Sequence, residues 1–182
     1  MANNHPSTTT PATANQAALV TVPRDVQQDL INVVQNNLVH EKDWSKLQTH
    51  ADPHMPRMML CGLPPRRLYV HPDEQIEIIK AEASLIDEQS IPQPPELEWV
   101  LPLHIREALS VRKWAAIFDS IETLPPGAAA AEAAVDDGGE MPEWKKWRSV
   151  KRHKRLLVAV VQDDSTIVYY IVHDGIVKPR QN

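Results

Sequence analysis

The chain has 182 residues, 42% of them hydrophobic, which is enough for one packed core and gives no expectation of a second full domain. Its 16 prolines outnumber its 5 glycines; nine prolines fall between Pro53 and Pro102 and none between Trp144 and Lys178, so regular structure is expected to be most secure toward the end. The net charge of -5 conceals seven Lys/Arg and no acid in Lys145 to Arg155, against 12 bases and 24 acids elsewhere, which excludes attraction of the whole protein to nucleic acid.

Residues 1–22 contain no Asp, Glu, Lys or Arg and are rich in Ala, Thr, Asn and Pro, the composition of a disordered tail. A single domain is expected over 23–182. Its first element is a helix from Pro23 to before Trp44, with Val26, Leu30, Val33, Val34 and Leu38 on one face and Asp25 near the positive end of the helix dipole. Trp44 to Leu47 and Arg57 to Cys61 read as short strands, the second stopped by Gly62-Leu63-Pro64-Pro65. His71-Pro72-Asp73-Glu74 opens a helix with Ile76, Ile79, Ala83 and Ile86 on one face, against a competing strand over Ile76, Ile78 and Lys80. Pro92, Pro94 and Pro95 end it, and Leu97 to Leu103 forms a short strand interrupted at Pro102.

Ser110 is a natural N-cap, with Leu109 and Trp114 placed as a hydrophobic staple and Val111, Trp114, Ile117, Phe118 and Ile121 as the buried stripe. A flexible, low-complexity insertion follows at about 122–143. Leu156 to Val161 is a valine-rich apolar run of the kind found in a strand buried on both faces, and Thr166 to Val172 is a second of the same kind, after a turn at Asp163-Asp164-Ser165. Asp174-Gly175 then suits the centre of a type I′ hairpin, which predicts a third strand at Ile176 to Lys178.

A single cysteine, Cys61, excludes an intramolecular disulfide or a cysteine zinc cluster and fits a reducing compartment. His50 and His54 have metal-ligand spacing, but Pro53 breaks the helix that would align them. No glycine-rich phosphate loop occurs, so no metal and no cofactor is expected. No apolar run approaches a membrane span and no secretory signal opens the chain; the expectation is a soluble, intracellular protein without membrane insertion.

The end of the chain is specific. Asp164-Ser165-Thr166-Ile167-Val168-Tyr169-Tyr170, then Asp174-Gly175, then Pro179-Arg180-Gln181-Asn182, resembles the C-terminus of the small structural subunits of eukaryotic tRNA-splicing endonuclease, the Sen-fifteen family. The Glu41-Lys42-Asp43-Trp44 junction and the helix at Val111 to Ile121 resemble the same family, and the proline-rich and alanine-rich insertions fit a fungal-type member. The resemblance implies an α+β fold like the C-terminal domain of tRNA-splicing endonucleases, with a mixed β-sheet packed on helices and ending in a β meander. It implies a heterotetrameric enzyme in which this chain is a non-catalytic structural subunit, paired through its last strands with a catalytic subunit that cleaves introns from precursor tRNA. Tyr169, Tyr170, His173, Asp174, Gly175, Ile176 and Val177 would then form the subunit interface.

Catalytic relatives use a tyrosine, a histidine and a lysine in that chain order, the lysine just before a strand like Leu156 to Val161, which makes Lys154 the position most like it. Tyr69, the only tyrosine before Tyr169, stands far upstream, with His104 as the histidine to follow it. No catalytic residue is therefore assigned. The rival is a stand-alone endonuclease using Tyr169 or Tyr170 with His153 and Lys154.

Lys145, Lys146, Arg148, Lys151, Arg152, Lys154 and Arg155 are candidates for contact with RNA phosphates, with Trp144 and Trp147 as stacking surfaces. The same window also reads as a solvated helical face with both tryptophans turned inward, or as a nuclear import signal; a basic RNA-binding adaptor outside the endonuclease is a further rival. The expected location is the nucleus, with the cytosolic face of the mitochondrial outer membrane as the alternative. An isolated chain would have exposed strands through which to form a homodimer.

Overall fold

The computed structural model describes residues 22–53, 55–85, 90–128 and 142–176. Residues 1–21, most of the expected insertion and the segment after Ile176 lie outside them. The core is a five-stranded mixed sheet in chain order: β1 (Ser45–His50), β2 (Met59–Leu63), β3 (Glu98–His104), β4 (Arg155–Val161) and β5 (Ile167–His173). β3 and β4 run parallel, and every other neighbouring pair is antiparallel. A parallel pair requires a crossover, and that crossover carries α3 (Val111–Asp119) and the single-turn α4 (Glu143–Lys146). The α+β class and the mixed sheet thus stand as expected.

Alternation along the strands divides the core in two. On one face α1 (Arg24–His40) lays Leu30, Ile31, Val34 and Leu38 over Leu60, Val100, Leu157 and Ala159. On the other, α3 lays Ile117 and Phe118 over Leu101, Leu156 and Val158. The buried stripe of α1 includes Gln27 and Ile31, while Val26 and Val33 face solvent. Gln27 is tolerated because both ends of its amide are used: Nε2 donates to the Val22 carbonyl (2.7 Å) and Oε1 accepts from the Met58 amide (2.9 Å).

Ser110 caps α3 as expected, its Oγ accepting from the Lys113 amide at 3.3 Å. Val111, placed in the buried stripe by its spacing, is instead 85% exposed; in this nine-residue helix it is Ile117 and Phe118, near the C-terminal end, that are buried.

β3 passes through Pro102 without a break. A proline inside a central strand would normally forfeit a ladder bond. Here β2 pairs with β3 only at Glu98 to Val100, and beyond that point Arg57 Nη2 donates to the Pro102 carbonyl at 3.0 Å. The side of Pro102 that lacks a donor therefore faces an arginine, which needs only an acceptor. Between β1 and β2, Gly62 is needed because a Cβ there would lie 2.6 Å from Leu47 Cδ2 and 3.1 Å from the Trp44 ring.

α2 (Pro72–Glu82) begins where expected, with His71 Nδ1 accepting from the Asp73 amide at 3.2 Å. Its orientation differs from the apolar spacing: Glu74 is 1% exposed and Ile78 is buried, while Ile79 is 56% exposed and Ile76 also faces outward. Arginines waiting for Glu74 decide the rotation.

β4 is buried on both faces, as read from its sequence. β5 is not. It is an edge strand, half-buried at most positions, with Tyr170 56% exposed. The expected type I′ hairpin does not form either: Gly175 has φ 96, but Asp174 is not among the described residues with positive φ. The Asp174 amide donates to the Lys154 carbonyl at 2.9 Å, and Ile176 lies fully exposed outside any strand. The rest of the expected third strand, including Val177, lies outside the described residues. Among the described residues, no helix is long and apolar enough to cross a membrane, and no group of three or more His, Cys, Asp or Glu could hold a metal ion.

Candidate functional site

The basic window leads into β4 on the α1 face of the sheet, beyond the reach of α1. Arg155 shares a face with Leu157 and Ala159, and the register carries it opposite His173. Glu98, on the same face of β3, accepts from Arg155 Nε at 3.0 Å and from Nη2, while Arg155 Nη2 also reaches Glu96 at 3.0 Å. Arg152 donates through Nη1 to Glu96 and through Nη2 to Glu98 and the Leu97 carbonyl, both at 3.3 Å. Arg67 takes Glu74 in a two-pronged pair at 2.6 and 2.9 Å and sets Nε 2.8 Å from Glu96. Arg148 adds Nε to Glu74 at 3.3 Å and Nη2 to Gln93 at 2.7 Å. Four guanidinium groups thus alternate with three carboxylates, the arrangement in which desolvated charges are tolerable. Burial pulls the Arg148 pKa down, and the charge of Arg67 adds to the effect against the pull of Glu74.

The remaining bases of the window lie nearer to solvent. Lys154 turns to the opposite face and donates from Nζ to the Phe118 carbonyl at 2.9 Å, a cation at the negative end of α3. Lys146 and Lys151 share Glu143 at 2.7 and 2.8 Å, and their hydrogen bonds hold its carboxyl at about 2. Lys145 is half-buried on α4. Seven candidate phosphate contacts therefore separate into three largely buried arginines, which tie residues 142–155 to α2 and to the 92–98 stretch, and four lysines, three half-buried and Lys151 exposed. Even with Arg67 and the carboxylates Glu74, Glu96, Glu98 and Glu143 counted in, bases exceed acids here.

Trp144 and Trp147 follow neither sequence reading fully. Trp147 lies half-buried and stacks on His71, with centroids 4.4 Å apart and planes 11° from parallel, while Lys151 Nζ sits 5.2 Å from its ring centre. Trp144 carries the Arg148 guanidinium at 4.8 Å. His153 lies parallel to His71 on a 5.4 Å spacing. Tyr69 completes the cluster, 4.7 Å from His173 and 5.4 Å from the Arg155 guanidinium. Burial, then the charges of Arg155, His153 and His71, keeps His173 below its usual value. The histidine accompanying Tyr69 is therefore His71, two residues on, not His104. His104 pairs with Val161 at the far end of the strands, six residues or about 20 Å along the sheet from the Arg155 end. The signal was present in the Tyr69-Val70-His71-Pro72 spacing, and His71 serves both as the cap of α2 and as the ring beside Tyr69.

The trio Tyr169, His153 and Lys154 does not assemble. The Tyr169 hydroxyl donates to Asn37 Oδ1 of α1 at 2.6 Å, on the face opposite to the Lys154 amine. Tyr170 shares the Lys154 face but pairs with Val158, four residues or about 13 Å along the strand. Of the expected interface residues, Tyr169 and His173 thus turn toward the interior, while Tyr170 on β5 and Asp174, Gly175 and Ile176 just beyond its end are exposed. Elsewhere the buried Cys61 Sγ lies 3.2 Å from Nε2 of the half-buried His50, and burial raises the thiol pKa and lowers that of the imidazole.

A family model described as Sen15 protein matches residues 33–182. A Neurospora crassa protein named probable tRNA-splicing endonuclease subunit tsp-1 is 54% identical over 155 residues, covering 85% of this chain and 66% of that protein. The Schizosaccharomyces pombe protein named probable tRNA-splicing endonuclease subunit sen15 is 33% identical over 88 residues, 48% of this chain and 51% of its own length. The Eremothecium gossypii tRNA-splicing endonuclease subunit SEN15 is 26% identical over 153 residues, 84% of this chain and 91% of its own. The chain thus spans 66% and 51% of the length of the first two relatives.

Proposed function

The chain belongs to the Sen15 family, and from that membership we propose that it is a non-catalytic subunit of a tRNA-splicing endonuclease, pairing with a catalytic subunit for cleavage of introns in precursor tRNA. The observation that carries this reading is β5: among the described residues it is an edge strand with one side unpaired, bearing the exposed Tyr170 and Ile171. A partner strand added there gains main-chain hydrogen bonds for affinity and side-chain pockets for register. Against catalysis by this chain stands the dispersal of Tyr169, Tyr170, His153 and Lys154 over two faces of the sheet. The subunit supplies a rigid sheet edge, and Lys145, Lys146 and Lys151 lend a basic surface to an otherwise acidic chain where precursor tRNA is held. Nuclear residence belongs to the same proposal, checked by microscopy of the tagged chain.

The test is incubation of the chain with intron-containing precursor tRNA, first by itself and then co-expressed with a catalytic subunit. No cleavage by the isolated chain and a stable pair with the catalytic subunit are expected; excision of the intron by this chain without a partner would overturn the reading. A second copy on the β5 edge is the competing occupant, recognised in sedimentation as a homodimer that the catalytic subunit displaces.

A further inference from the structure

Trp147, His71 and His153 form a near-parallel ladder, with successive planes 11° and 15° apart and centroids 4.4 and 5.4 Å apart. The middle ring is buried, Trp147 is half-buried with Lys151 Nζ over its ring, and His153 is the exposed member. The backbone that presents His153 is pinned on both sides. Arg152 is locked to Glu96 and Glu98, and Lys154 is hydrogen-bonded to the Phe118 carbonyl on the opposite face of the sheet. An exposed aromatic ring fixed this way loses little freedom when a flat partner settles on it, which is the condition for a stacking platform. The segment that carries it has an excess of positive charge, with seven Lys/Arg and no acid between Lys145 and Arg155.

We propose that the outer face of His153 is a stacking platform for a single unpaired nucleobase of an RNA strand. The inference rests on the reading that this subunit meets precursor tRNA, and it goes further by assigning the contact to an imidazole that no charge-based reading singles out. Every base offers a π-face, so the platform accepts any base and favours purines. The tryptophan that a basic, aromatic window would nominate has His71 stacked on its ring and a lysine above it; the ladder passes the role outward to His153.

The test uses the full chain, by itself and assembled with a catalytic subunit, titrated with a short fluorescein-labelled oligoadenylate followed by anisotropy. His153→Ala should weaken binding by about five- to tenfold, the lower part of the range for base–aromatic stacking because imidazole is smaller than indole. His153→Phe should stay within about twofold of the parent. The slope of log affinity against log salt should be unchanged in His153→Ala, because stacking releases no counterion. An oligomer abasic throughout should bind both His153 forms alike. The proposal is overturned if the parent chain binds no RNA in either state, if His153→Ala binds like the parent, if His153→Phe is as weak as alanine, or if the abasic oligomer still distinguishes them. Assembly with the catalytic subunit is scored separately by co-purification, so loss of the subunit reading and loss of the platform are told apart.

Discussion

Substituting Glu98→Gln keeps the shape of a buried side chain and removes its charge. In the parent, Glu98 accepts from Arg152 and from two nitrogens of Arg155, with all three side chains buried. The cluster has four guanidinium groups against three carboxylates; the variant has four against two, and Arg152 and Arg155 are left to share Glu96. Breaking a buried pair by neutralising one partner costs about 3–5 kcal/mol, because the remaining charge stays desolvated. For a domain of this size about 1 kcal/mol lowers Tm by roughly 2–4 °C, so a fall of roughly 6–20 °C is expected in thermal unfolding followed by circular dichroism. Glu77→Gln is the control: its partner Lys80 is exposed, and the change should stay within about 0.5 kcal/mol. A Tm for Glu98→Gln within about 2 °C of the parent would refute the reasoning and return Arg152 and Arg155 to solvent as candidates for RNA.

Gly62→Ala would push a methyl into Leu47 and Trp44 and should cost about 1–3 kcal/mol, read as a lower urea midpoint. His50 and His173 both have native pKa values held below the ordinary 6.5, His50 by burial and His173 by burial and then by the positive charges around it. The unfolded chain takes up those protons as pH falls through 6.5 while the native chain resists, so this share of stability is present above that value and is lost on acidification. A His50→Gln/His173→Gln variant should flatten the dependence of the urea midpoint between pH values of about 7.5 and 5.5. Burial, then the charge of Glu41, raises Tyr169 from 10.0 to about 12, so native stability should decline as pH rises from 10.0 to about 12. Tyr169→Phe should remove that decline and cost about 1 kcal/mol at neutral pH through the lost bond to Asn37.

Local chemistry was legible in the sequence, and pairing across the fold was not. The Ser110 cap, the Pro72 helix start and the doubly buried β4 all depend on residues adjacent in the chain, and all three are present. The face of α2 depends on Arg67 and Arg148, one of them far along the chain, so the isoleucine spacing pointed outward. β5 has the same apolar run as β4, yet periodicity contains nothing about which strand ends a sheet. Pro102 looked like a strand breaker until Arg57 was placed beside it. In the candidate site, the charge of Lys145 to Arg155 was visible, but the division into buried arginines and surface lysines came from Glu74, Glu96 and Glu98, acids that lie 57 or more positions before Arg155. The His71 and His153 ladder was hidden for the same reason.

The most direct measurement of the subunit reading is affinity purification of the tagged full chain from cells, followed by identification of its stable partners. The expected result is a catalytic tRNA-splicing endonuclease subunit in near-equal amount. Recovery of the chain with no other endonuclease subunit, whether bound to a copy of itself or to unrelated RNA-binding proteins, would contradict it.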